Sequence, residues 1–297
     1  EDGARPWITA LDEEGTGLIQ TSTSLLKGRK LFMWGTGPGG QTWQTFLSRQ
    51  GTTYLEIQAG LARTQLEHLP MPAGADWIWM EAYGLMQTDP AVVHGPDWGA
   101  ARKTVDGALE TIIPADALEQ ELERAKPWAD RVPEEVIQRG SGWGALEHLR
   151  REAAGMPVMC SDALPFDDAS LTDIQSPWVS LLETGALPEA EISPEPVGYL
   201  VQPEWRQLLE AALEAGRGDH WFSWLHLGVM RYGSGDRSAA REAWERSLAC
   251  IESPWALRNL ALLDKEDGQT DQAAERYVAA CRLNPHLIPL AVECGRF

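Results

Sequence analysis

The 297-residue chain has little of what usually announces a function. It holds four cysteines, Cys160, Cys250, Cys281 and Cys294, and no C-x-x-C pair. This argues against a disulfide framework or a thiolate zinc site and leaves reduced core thiols as the expectation. No apolar run approaches the ~18 residues a membrane span requires, so no membrane partner is expected. Positive charge is scarce, with 25 Lys and Arg against 44 Asp and Glu and a formal net charge of −19. An acidic surface without a basic stripe repels phosphate backbones and argues against nucleic acid as a partner. Ser/His/Asp, Walker and metal-ligand spacings are missing, so no metal and no cofactor is expected. The chain opens on Glu-Asp-Gly, without an initiator Met or a signal-peptide pattern. That reads as a processed or excised piece, and a cytoplasmic location is the default expectation.

Tryptophan, by contrast, is abundant: fourteen, against five Tyr and five Phe. Trp7, Trp34, Trp43, Trp77 and Trp79 fall in the first ninety residues. Indoles pack cores and interfaces, and their faces also stack on the C–H faces of pyranose rings.

Residues 1–90 read as β-rich. Strand candidates are Trp7–Leu11, Gly17–Thr23, Lys30–Trp34, Tyr54–Ala59, Arg63–Leu69 and Trp77–Leu85, separated by Gly, Pro, Asp and Ser. So few strands make a thin sheet, and a sandwich would need an upstream segment or another chain to complete it. Residues 91–200 read as a helical and Pro-rich connector. Helices are expected at Trp98–Leu109, Asp116–Arg124, Pro133–Arg139 and Gly144–Ala154, followed by six prolines between Pro157 and Pro196. Residues 201–297 read as helical, starting with Val201–Ala215. An internal repeat follows at an offset of 33 residues, matching Gly228 with Ala261, Gly235 with Gly268, Ala240 with Ala273, Trp244 with Tyr277 and Ser247 with Ala280. A small residue for close helix approach, a turn glycine and an aromatic filling the gap are the features of the tetratricopeptide repeat.

Three groups of residues carry chemistry. Period-two alternation puts Glu56 and Gln58 on one strand face, with Leu55, Ile57 and Ala59 toward a core. It likewise puts Arg63, Gln65 and Glu67 together on the next candidate strand. Paired as a hairpin, these would converge into a polar cluster of Glu56, Gln58, Arg63 and Gln65 that binds hydroxyls bidentately. Glu81 alternates with Trp77, Trp79 and Tyr83 against Ile78, Met80 and Ala82. Aromatic flanks would raise its pKa by desolvation. Glu56 and Glu81 then become candidate acid and base for glycosidic cleavage, with His68 as an alternative acid. Trp34, Trp43 and Trp79 are candidate stacking platforms. Finally, Gly35-Thr-Gly37-Pro-Gly39-Gly40 fits G-x-G-x-x-G, precedes a helix candidate at Gln41–Arg49 and has Glu56 at fingerprint spacing. Pro38 stiffens that loop and removes an N–H, so dinucleotide binding is the weaker alternative to a plain Gly-rich loop.

The stretches Gly28-Arg-Lys-Leu-Phe-Met-Trp-Gly, Gly39-Gly-Gln-Thr-Trp, Tyr54-Leu-Glu-Ile-Gln-Ala-Gly, Thr64-Gln-Leu-Glu-His-Leu-Pro, Trp79-Met-Glu-Ala-Tyr-Gly, Trp224-Leu-His-Leu-Gly and Ser253-Pro-Trp-Ala-Leu-Arg-Asn-Leu-Ala resemble a bacterial family common in actinobacteria. In that family a galactose-mutarotase-like β-sandwich precedes C-terminal tetratricopeptide repeats. The resemblance implies an α+β multi-domain chain carrying the last strands of such a sandwich. It also implies a carbohydrate ligand and, by analogy with the epimerases of the superfamily, a Glu base at Glu56 or Glu81. The expectation is therefore a carbohydrate-active protein, glycoside-hydrolase-like or sugar-binding, with a homo-oligomer as an option. The alternative is a protein–protein interaction scaffold built on the helical repeats.

Overall fold

Near the start of the chain, alternating apolar residues and a turn at Asp12 build a hairpin. The Asp12 carboxylate accepts the N–H groups of Glu14 and Thr16, closing β1 (Trp7–Leu11) onto β2 (Thr16–Ser22). The computed structural model describes residues 5–160, 162–192, 195–196 and 198–297. These form a mixed α+β chain with antiparallel strands, divided into two compact units, Glu1–Arg131 and Val132–Phe297.

In the first unit, β3 (Gly28–Met33) leads into α1 (Pro38–Leu47) and then β4 (Leu55–Gly60) and β5 (Glu81–Gln87). The first sheet has the order β1-β2-β5, and β3 pairs only with β4, in a separate ribbon. The expected strand Trp77–Leu85 starts later, at Glu81, because the ladder begins at the Ser22–Glu81 pair and runs to Thr16–Gln87. The expected strand Arg63–Leu69 is a loop. An extended chain there would need to bury Leu66, which is instead 89% exposed, and the prolines at 70 and 72 supply no N–H for a ladder.

Short α2 (Pro90–Val93), α3 (Trp98–Ile112) and α4 (Ala115–Ala125) complete this unit, followed by a 3-10 turn at Lys126–Trp128. The Asp97 carboxylate caps α3 by accepting the Ala100 N–H. Val105 and Leu109 of α3 pack with Ile19 of β2 and Met86 of β5, so the helix covers one face of the three-stranded sheet. Burying each such side chain contributes about 1.5–3 kcal/mol. The opposite face carries Leu18, Tyr83 and Leu85, all exposed. The expectation that Leu55, Ile57 and Ala59 face a core needs correction. Leu55 is exposed and the other two are half-buried, since a two-stranded ribbon has too little area to seal a face.

The second unit is helical. It contains α5 (Gly142–Ala153), α6 (Ser176–Thr184), α7 (Pro203–Glu214), α8 (Trp221–Gly233), α9 (Arg237–Cys250), α10 (Pro254–Glu266), α11 (Thr270–Leu283) and α12 (Ile288–Arg296). Pro133–Arg139 is not the expected helix. Ile137 is 91% exposed, so no apolar face is buried to stabilise one. Nor is the Pro-rich stretch only a connector, because α6 lies inside it and places Trp178 in the main helical core. The 33-residue offset is realised as two helical hairpins, α8–α9 and α10–α11. Gly235 and Gly268 follow α8 and α10 with φ of 84° and 74°, a left-handed turn that ends each helix at little steric cost. Trp244 lies against Gly228, where a methyl group would come within 2.2 Å of its Nε1, and donates that N–H to the Leu225 carbonyl at 3.1 Å. Tyr277 occupies the matching position of the second hairpin, equally buried.

Candidate functional site

Sheet register decides which of the predicted side chains can meet. Pairing of β3 with β4 sets Lys30 opposite Gln58 and Phe32 opposite Glu56, all on one face. The Tyr54 hydroxyl donates to one oxygen of Glu56 at 2.8 Å, and the Gln58 amide donates to the other. These bonds, from Tyr54 first and then Gln58, outweigh desolvation and with the charge of Lys30 hold the carboxyl below its ordinary range. Lys30 also donates to the Gln65 side-chain oxygen. The loop after β4 folds back through a turn in which the Glu67 carboxylate accepts the Arg63 N–H at 3.1 Å.

The result is a hollow of about 490 Å³ at the Gly28 end of the ribbon, with Gln58, Arg63 and Gln65 on its walls. The expected hairpin partner is replaced, because β4 pairs with β3 and the loop brings Arg63 and Gln65 across. Arg29, Lys30 and Glu67 also line the hollow and were not among the predicted site residues. Lys30 lay within a predicted strand, but its place opposite Gln58 needs the register. The floor is backbone. Gly28 pairs with Gly60, and a Cβ at Gly28 would lie 1.9 Å from the Ala62 carbonyl oxygen. Glu56 adjoins the hollow through Gln58 without lining it. His68 is exposed in the same loop and does not line the hollow either.

Glu81 sits on the other sheet. Its carboxylate accepts the Tyr83 hydroxyl at 2.7 Å, the Gln20 amide at 2.9 Å and the Trp79 indole N–H at 3.3 Å. Partial burial pushes its pKa up, as the aromatic flanks suggested, but the three hydrogen bonds and the charge of Arg29 outweigh burial. The expected raised pKa is therefore corrected to a lowered one. Glu56 and Glu81 are both held as carboxylates, on different sheets.

The indoles are partly committed. Trp34 and Trp43 stack on each other at 5.3 Å and 15°, so each has one face taken. Trp34 meets Phe32 edge-on and Trp43 meets Phe46 edge-on, which makes an aromatic cluster between β3 and α1. Trp43 is 49% exposed and Trp79 is 40% exposed. No family model matches the chain, and no curated protein matches it.

The Gly35–Gly40 loop ends at the start of α1, with Pro38 in its first turn. The strands flanking that helix are antiparallel. A dinucleotide fingerprint needs a parallel βαβ crossover, so the glycines here serve a different connection. Among the described residues, no three His, Cys, Asp or Glu side chains converge on a metal position, and no helix is long and apolar enough to cross a membrane.

Proposed function

We propose that unit Glu1–Arg131 binds a carbohydrate in the hollow beside β3 and β4, without cleaving it. The observation that carries this reading is the convergence of Gln58, Arg63, Gln65 and Lys30 on one open hollow with exposed indoles elsewhere on the unit. Amides, a guanidinium and an ammonium over a backbone floor present both donors and acceptors to hydroxyl groups. Glycosidic cleavage would need one carboxyl kept protonated as the acid. Both Glu56 and Glu81 are instead lowered, which favours binding over hydrolysis. In this reading the strands are the remainder of a galactose-mutarotase-like sandwich, completed by a segment or chain outside these residues.

Titration with neutral mono- and disaccharides, followed by tryptophan fluorescence and calorimetry, tests it. Gln58→Ala and Gln65→Ala are each expected to weaken binding roughly fivefold, about 1 kcal/mol for a lost hydrogen bond. No response across a broad sugar panel would sink the proposal. Turnover of aryl glycosides that Glu56→Gln and Glu81→Gln both abolish would replace it with the hydrolase reading.

A second reading rests on the two helical hairpins spaced by 33 residues. We infer that they are tetratricopeptide-like and that residues 201–297 serve as an interaction scaffold. Hairpins of this kind stack into a continuous surface suited to gripping a partner. A pull-down in which residues 201–297 capture the same partner as the full chain is the expected result. Capture that requires residues 1–131 would refute it.

A further inference from the structure

Elsewhere in unit Glu1–Arg131, a cavity of about 480 Å³ lies between β1, the Arg29–Leu31 side of β3, and α2 and α3. Four cations line it, Arg5, Lys27, Arg29 and Arg102, and among the described residues no aspartate or glutamate does. That is a marked local excess of positive charge in a chain of net charge −19. Two indoles, Trp7 and Trp98, supply flat apolar wall.

The two inner arginines are fixed by the fold yet not saturated. Arg5 donates through Nε to the Thr21 hydroxyl at 3.1 Å and through Nη1 to the Ile113 carbonyl at 2.6 Å. Among the described residues its only carboxylate contact is Glu110 at 3.5 Å, and its Nη2 is buried without a partner. Arg29 donates through Nη1 to the carbonyls of Leu26 and Gly28, both at 2.8 Å, and through Nη2 to Ser22 and Pro6. Its Nε is buried without a partner among the described residues. Burial pushes both guanidiniums below the ordinary arginine value. The charges in range, Glu110 and Asp106 for Arg5 and Glu81 for Arg29, only partly offset that effect. Among the described residues Lys27, Arg29 and Arg102 form no ion pair. Both guanidiniums therefore hold positive charge at the cavity wall with little carboxylate to neutralise it.

We propose that this cavity binds a small organic anion, a phosphate or carboxylate carried on a flat or cyclic body. The anionic group meets Lys27 and Arg102, while the guanidiniums of Arg5 and Arg29, held behind them largely by neutral acceptors, add positive potential. The body lies against Trp7 and Trp98. The volume fits a small molecule and is tight for a peptide segment. The inference is independent of the carbohydrate reading, because apart from Arg29 the two hollows share no charged residue.

The test is calorimetric titration of the full chain with phenyl phosphate, benzoate, benzyl alcohol and inorganic phosphate. At least one ring-bearing anion is expected to bind, with benzyl alcohol inert and inorganic phosphate tenfold weaker or more. The double variant Lys27→Gln/Arg102→Gln, which leaves the buried arginines in place, is expected to weaken the ring-bearing anion tenfold or more with unchanged thermal unfolding. Trp98→Ala, at a rim position, is expected to weaken phenyl phosphate but not inorganic phosphate. The proposal is overturned if no ring-bearing anion binds the folded protein or if the double variant binds as tightly as the original. It is equally overturned if inorganic phosphate or an Asp/Glu-rich peptide binds more tightly than both ring-bearing anions.

Discussion

Replacing Asp264 by Ala is expected to destabilise the helical unit by about 3–5 kcal/mol, the usual cost of leaving a buried ionic network without one partner. Asp264, on α10, has a side chain with no exposed area. Its carboxylate accepts from Arg241 of α9 at 2.7 Å and from Arg276 of α11, so one acid ties three helices together. Around it, Arg241 also reaches Asp267 at 2.9 Å, and Arg237 pairs with Glu266 and Asp267. Truncation leaves two largely buried guanidiniums facing a hole and each other, with Arg241 keeping Asp267 and Arg276 losing its carboxylate. Asp264→Asn keeps the shape and some of the hydrogen bonding but loses the charge, so it should fall between the two. Urea unfolding followed by tryptophan fluorescence measures the difference, since the core around Trp178, Trp205 and Trp244 reports on this unit. A typical domain is stable by only 5–15 kcal/mol, so the Ala variant should be close to unfolding at physiological temperature. A loss below about 1 kcal/mol would show that the network contributes no net stability.

The same unit should weaken in mild acid through a single histidine. His226 on α8 is 3% exposed, edge-on to Trp178 at 5.0 Å and to Phe222 at 4.4 Å. Among the described residues neither ring nitrogen has a partner. Burial alone pushes its pKa down to about 4. In the unfolded chain the ring titrates near 6.5, so between these values the unfolded state binds a proton that the native state refuses. Stability is therefore full above pH ~6.5 and falls as the pH drops toward ~4, by roughly 3 kcal/mol over that window, then levels off. Carboxylates add their own acid dependence, so the informative quantity is the difference between the protein and His226→Met, a variant of similar volume. That difference should favour the variant progressively below pH 6.5. A difference that stays flat from pH 7 to 4 would mean the imidazole is solvated or paired in solution.

The uneven legibility of this sequence has physical reasons. Strands β1, β3 and β4 were readable because alternation and turn residues are local signals. The helical hairpins were readable because a turn glycine, a small residue and an aromatic recur at one offset. Arg63–Leu69 alternates just as well, yet forms a loop, since alternation stabilises a strand only where the apolar side can be covered. Helix α6 leaves no periodic signal in the sequence, because nine residues starting beside Pro177 are too few to show a period. The hollow that brings Gln58, Arg63 and Gln65 together was expected from a different strand pairing, and register is a long-range property that spacing along one strand does not encode. Arg5, Lys27 and Arg102 come from three separate stretches, so their cavity left no trace in any local pattern. Glu81 shows the limit of reading pKa from neighbours in sequence, because Gln20, which helps reverse the expected shift, lies sixty-one residues away.

The glycine beneath the first hollow has an evolutionary consequence. With the Ala62 carbonyl so near, position 28 tolerates no larger residue unless the chain around it moves. Rim groups such as Gln65 and Arg63 are under no such restraint. Lineages descended from this protein would thus be free to change the side chains at the lip of the basin by point substitution while inheriting its base unaltered.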